Sequence, residues 1–130
     1  MSRRRVVVTG LGAISPVGNT IAEAWEALTA GRSGIARITK FDAAAFKAQI
    51  AGEVKGFDVT AYLPPKEARR MDTFIHYGMA AGIQALRDAG LDTPQADAER
   101  IGVNIGSGIG GLPMIEDTHN DYLAGGPRKI

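Results

Sequence analysis

Apolar residues fall along this chain in two kinds of run. Short β-branched clusters, "RVVVTG" at 5–10 and "RIGVNIGSG" at 100–108, break at closely spaced glycines and predict buried strands that run into tight turns. Between and after them the period lengthens to that of a helix. Ile21, Trp25 and Leu28 recur at i, i+4 and i+7 behind a T-x-x-E capping box of Thr20 and Glu23, and Gly31 supplies the stop. A stripe of Ile75, Met79, Gly82, Ile83 and Leu86 predicts a longer helix, with Asp72 as its N-cap and Gly90 past its end. Gly78 and Gly82 weaken that helix by up to about 1 kcal/mol each relative to Ala, which implies tight packing against another element. "LPMIEDTHNDYLAGG" predicts a further helix, with Pro113 in its first turn and Gly125 near its end. From Arg32 to Tyr62 the pattern fades: "RSGIARITKFD" reads as loop and "FKAQIAGEV" as a short strand, until Leu63, Pro64 and Pro65 end the segment. The order strand, helix, helix, strand, helix predicts an α/β sheet with parallel crossovers.

Length and composition restrict the chemistry. The 130 residues suit one domain, 1–130, with a modest core. A net charge of +1, from 15 basic and 14 acidic residues, argues against a dedicated nucleic-acid binder. With no cysteine, these residues hold no disulfide, no thiolate zinc site and no cysteine nucleophile. "MSRRRVVV" begins like a signal peptide, but its apolar run stops at "TGLG", too short for a leader or a membrane span, so a soluble cytoplasmic chain is expected.

The 17 glycines cluster at specific turns, a pattern of close backbone approach. Gly106, Gly108 and Gly111 spell G-x-G-x-x-G, but the acidic residue that a dinucleotide ribose needs about 20 positions on is absent, and Arg128 and Lys129 stand in that region. "GLGAIS" places Ser15 where a third glycine belongs. Neither turn is followed by the lysine of a P-loop. No cofactor is expected.

Polar candidates have plain readings on spacing alone. Lys66, Arg69 and Arg70 share a helical face with only Glu67 opposing them, which describes an ordinary solvated surface. Glu116 and His119 form a single E-x-x-H, too little for a bundle-type metal site, so no metal is expected. His76 reads as a hydrogen-bonded structural histidine. Ser15 lacks the strand-to-helix elbow of a serine hydrolase.

Taken together, "RRVVVTGLGAISPVGN", "GRSGI", "RRMDTFIHYG", "RIGVNIGSGIGG" and "GGPRKI" closely resemble, in order and spacing, the amino-terminal part of bacterial β-ketoacyl-acyl carrier protein synthases of the type II elongating kind. The resemblance covers the whole chain. It implies a thiolase-like fold, two similar α/β halves assembled as a homodimer, of which this chain is part of the amino-terminal half. It also implies that "SGIGG" lines an acyl-chain pocket. Ile109 resembles the family's gating isoleucine, Gly108 leaves room beside it, and Leu112 resembles a residue that reaches the partner's pocket across the dimer interface. Lys66, Arg69 and Arg70 resemble the docking site for acyl carrier protein, and Arg128 and Lys129 its second basic element.

The family's reaction is a decarboxylating Claisen condensation of malonyl- with acyl-carrier protein, run by a cysteine nucleophile, oxyanion donors and two histidines. None of these catalytic residues is expected among residues 1–130. The resemblance thus implies a fragment of a fatty-acid elongating synthase, inactive alone. The alternatives are a non-catalytic module that binds carrier protein or dimerises, and a type I or polyketide-type ketosynthase. No nucleic acid or membrane partner is expected.

Overall fold

The computed structural model describes residues 3–130; Met1 and Ser2, the start of the leader-like run, lie outside the described residues. Four helices dominate: α1 (Ile21–Thr29), α2 (Pro65–Ala68), α3 (Thr73–Asp88) and α4 (Leu112–Gly125). Their starts follow local chemistry. Thr20 Oγ1 accepts the Glu23 amide at 3.2 Å, while Glu23 Oε2 reaches back to the Asn19 amide at 2.7 Å, so the capping box closes one residue earlier than its usual form. Asp72 caps α3, and Pro113 occupies the first turn of α4. Gly31, Gly90 and Gly126, at φ of 65°, 68° and 69°, turn the chain where α1, α3 and α4 stop.

Turn glycines seat the amino-terminal segment on α3. A Cβ on Gly10 would lie 2.3 Å from the carbonyl oxygen of Ala85, and one on Gly12 would lie 2.0 Å from that of Ala81. These glycines exist for close approach to a helix backbone. Hydrogen bonds fix the same seam: Leu11 donates to Asp88 at 2.8 Å, Ala13 donates to Gln84 Oε1, and Gln84 Nε2 donates to the Asn19 carbonyl and the Tyr62 hydroxyl. Nearer the start of the same face of α3, Ile105 lies within ordinary contact of where Gly78 and Gly82 would carry side chains. The packing implied by those two glycines is therefore present, and its partner is Ile105.

The sheet differs from the expected one. Neither 5–10 nor 100–108 carries a β-ladder, and the only sheet among the described residues is an antiparallel pair, β1 (Ile35–Arg37) with β2 (Ile50–Gly52), in the register Ile35 to Gly52 and Arg37 to Ile50. A strand's hydrogen bonds come from a paired neighbour, and neither apolar run makes ladder hydrogen bonds among the described residues. Val6 is 91% exposed as a result, and Val103 and Ile105 are also exposed. β2 falls inside the expected short strand, whereas β1 forms within the stretch read as loop.

Burial is correspondingly thin. The buried apolar residues are five alanines, Ala24, Ala27, Ala43, Ala68 and Ala80, together with Leu63. In α1 the periodic stripe faces outward, with Trp25 67% exposed, while the small Ala24 and Ala27 meet the rest of the chain. The accessible surface is 10521 Å², against about 6,600 Å² expected for a compact monomer of this mass. This is an open layer with apolar faces uncovered.

Candidate functional site

The glycine turn that follows Ile105 lies beside the first turn of α3. Gly110, at φ 87°, has the Phe74 ring where its Cβ would point, and a Cβ on Gly111 would sit 2.2 Å from Asp72 Oδ2. Gly106 and Gly108 have nothing within 4 Å in that direction. The bare backbone is thus required by neighbours at 110 and 111, and is open on one side at 106 and 108.

Two apolar grooves adjoin this turn. One, of about 690 Å³, lies between the start of α3 and one face of α4, lined by Phe74, Ile75, Met114, Ile115, Tyr122 and Ile130, with His119 and Asp72 among its few polar groups. The other, of about 360 Å³, is walled by Gly78, Met79 and Ile105 to Ser107, and shares Phe74 and Ile75 with the first. Apolar walls with few polar groups suit an alkyl or aromatic occupant. Gly108, Ile109 and Leu112 line neither groove. In sequence Gly108 and Ile109 fall between Ser107 of the smaller groove and Gly111 of the larger, and Leu112 follows Gly111; Ile109 is 74% and Leu112 53% exposed.

The basic residues are placed as their spacing suggests. Lys66 lies in α2, Arg69 follows it with helical dihedrals, and the Arg70 amide still bonds back to the Glu67 carbonyl, so the turn continues through all three. All three side chains are exposed. Arg69 Nε donates to the Pro65 carbonyl, and no carboxylate pairs with any of them; among the described residues the one ion pair is Arg32 with Glu26. Arg128 ends a short 3-10 turn at Gly126–Arg128, and the Lys129 stem lies against Gly125. The larger groove runs in sequence terms from Asp72, two residues past Arg70, to Ile130, next to Lys129.

The histidines have different settings. His76 Nε2 bonds the Ala68 carbonyl at 2.8 Å, tying the start of α3 to the end of α2, which is the structural role its sequence context suggested. His119 is exposed on α4 beside the larger groove. Ser15 closes a tight turn, its Oγ donating to the Gly18 carbonyl. No helix among the described residues is long and apolar enough to cross a membrane.

Sequence reasoning did not find the groove that brings Phe74 to Met114 and Tyr122, 40 and 48 positions further on. It also assigned Asp72 only one of its two tasks. The available signal was Gly111: a glycine preceding a 14-residue helix leaves that helix without a side-chain cap of its own.

Comparison with known proteins shows which proteins this chain is similar to. The family described as "Beta-ketoacyl synthase, N-terminal domain" matches residues 3–129. The protein named 3-oxoacyl-(acyl-carrier-protein) synthase 2 of Vibrio cholerae serotype O1 is 58% identical over 130 residues, covering 100% of this chain and 31% of that protein. Its namesake from Vibrio harveyi is 57% identical with the same coverage. The chain therefore spans less than a third of the length of these relatives. Among solved structures, a ketosynthase bound to the hexaketide, in complex with its type II PKS acyl-carrier protein, superposes with a TM-score of 0.78 at 28% identity over 99% of this chain and 34% of that one. The fold is accordingly α/β and thiolase-like, although the runs expected as parallel strands carry no ladder here.

Proposed function

From a chain that belongs to the β-ketoacyl synthase family and carries its amino-terminal domain, we infer a part in fatty-acid chain elongation. In the complete enzyme an acyl group leaves the carrier-protein thiol for a cysteine outside residues 1–130. Malonyl-carrier protein then loses carbon dioxide, and the resulting carbanion attacks the acyl thioester. The cysteine thiolate departs and 3-oxoacyl-carrier protein is formed, longer by two carbons. The observation that carries this reading is identity of 58% across all 130 residues with a 3-oxoacyl-(acyl-carrier-protein) synthase 2.

Within that reaction these residues bind and orient. Lys66, Arg69, Arg70, Arg128 and Lys129 receive the acidic carrier protein, a role supported by their exposure and by the absence of a paired carboxylate within 4 Å among the described residues. Gly108, Ile109 and Leu112 contact the acyl chain, a role favoured by the apolar grooves that their sequence neighbours Ser107 and Gly111 line. The complete enzyme acts as a homodimer in the cytoplasm.

Replacing Lys66, Arg69 and Arg70 together by Glu in the complete enzyme tests the docking assignment. Exposed rim charges govern encounter more than contact, so carrier-protein affinity should fall at least tenfold at low salt, with the difference shrinking as salt rises. Unchanged affinity at low salt removes these residues from the interface. The absence of cysteine favours one second reading, a binding module without turnover. An intact mass of 13.7 kDa, with carrier-protein binding and no carbon dioxide release, would establish it.

A further inference from the structure

Asp72 does more than start α3. One carboxylate oxygen accepts the amide of Thr73, and the other, Oδ2, accepts the amide of Met114 at 3.2 Å across 42 residues of chain. Met114 is the third residue of α4, the position an N-cap side chain ordinarily serves. The N-cap residue of α4 is Gly111, which has no side chain to do so. The two facts fit together, because a Cβ on Gly111 would occupy the space that Asp72 Oδ2 fills.

Every amide in the first turn of α4 is thereby accounted for. Leu112 donates to the Gly110 carbonyl at 3.2 Å, Pro113 has no N–H, Met114 donates to Asp72, and Ile115 donates to the Gly111 carbonyl at 3.0 Å. The Phe74 ring against Gly110 adds an apolar stop on the same turn. Asp72 and Phe74 belong to one end of α3, and together they pin Gly110 and Gly111 between Ile109 and Leu112.

We propose that Asp72 is a positioning residue for the acyl-chain site: by capping α4 from the start of α3, it fixes where the turn bearing Ile109 and Leu112 stands, and so which acyl chains the complete enzyme accepts. This rests on the reading of Gly108, Ile109 and Leu112 as acyl-contacting. The chemistry calls for a carboxylate. Two amides approach two oxygens, and an asparagine in the same place offers one oxygen and turns an NH₂ group toward the other amide.

The test uses the complete enzyme and two readouts: hydrogen exchange at the Met114 amide, and the ratio of kcat/KM for a long against a short acyl-carrier substrate. Asp72→Ala should speed exchange about five- to tenfold, the effect of losing an N-cap, and should shift the ratio by roughly fivefold or more. Asp72→Asn should restore thermal stability while leaving either exchange or the ratio unrepaired. Gly111→Ala, whose φ of −87° suits alanine, should reproduce Asp72→Ala by expelling Oδ2, and it serves where Asp72→Ala fails to fold. Ile109→Ala is the reference and should move the ratio by itself. Unchanged Met114 exchange in both Asp72→Ala and Gly111→Ala overturns the proposal. So does faster exchange with an unmoved ratio while Ile109→Ala moves it, which leaves Asp72 a structural cap. A ratio unmoved by Ile109→Ala overturns the acyl-site reading, and the proposal with it.

Discussion

The Glu53 carboxylate gathers three donors from one loop: the Thr39 hydroxyl at 2.6 Å and the amides of Thr39 and Lys40. The hydroxyl bond, followed by the Thr39 amide, favours the ionised form and lowers its pKa below the usual 4.5 of a glutamate. Because the folded value is depressed, the contribution to stability is complete above the unfolded value and fades as pH falls through the folded one. Asp58 follows the same rule through Thr60. Glu53→Gln should therefore be less stable than the parent at neutral pH, and the gap should close in acid. Unfolding midpoints of the two proteins between about pH 3 and 7 check this; parallel curves would sink it. None of this was legible in the sequence, since Glu53 and Thr39 stand 14 positions apart in a stretch without pattern. His76 was legible in outline, because a polar ring on a half-buried helix face needs a partner, here the Ala68 carbonyl.

Elements were readable where their causes are local. Caps and stops act within a few residues, so Thr20, Asp72, Pro113 and the terminal glycines mark α1, α3 and α4 correctly. The strands were not, because a ladder is a property of two segments. The runs at 5–10 and 100–108 have strand composition without a ladder, while β1 is only three residues long, too short to show alternation. Periodicity in α1 was real, yet it could not say that Ala24 and Ala27 would face inward while Trp25 faced out. The glycines of "TGLG" were legible as a turn, but the helix they touch was not. Gly12→Ala in the complete protein tests that contact. Its Cβ would meet the rigid Ala81 carbonyl, so a loss of about 1–3 kcal/mol is expected, the usual cost of overpacking. A thermal midpoint equal to the parent's would show that the seam on α3 yields freely.

At the scale of the whole chain, surface outweighs core. The 10521 Å² of accessible area and the exposed Val6, Val8, Val103 and Ile105 describe faces suited to a companion layer. The isolated 13.7 kDa chain is expected to self-associate at micromolar concentration and to bind an apolar dye. Light scattering with dye fluorescence checks this, and a monomeric, dye-silent chain would contradict it.

The unladdered strands also carry a consequence in time. In a synthase of its relatives' length, this segment amounts to 31% of the polypeptide. At the usual pace of synthesis, the ribosome then needs roughly 15 to 60 s to add the remaining residues. During that interval Val6 to Val8, and after them Ile101 to Ile105, are outside the ribosome, exposed and without a ladder, while the rest of the chain is still being added. Their bare edges make this the stage at which a nascent chain most needs a chaperone's cover.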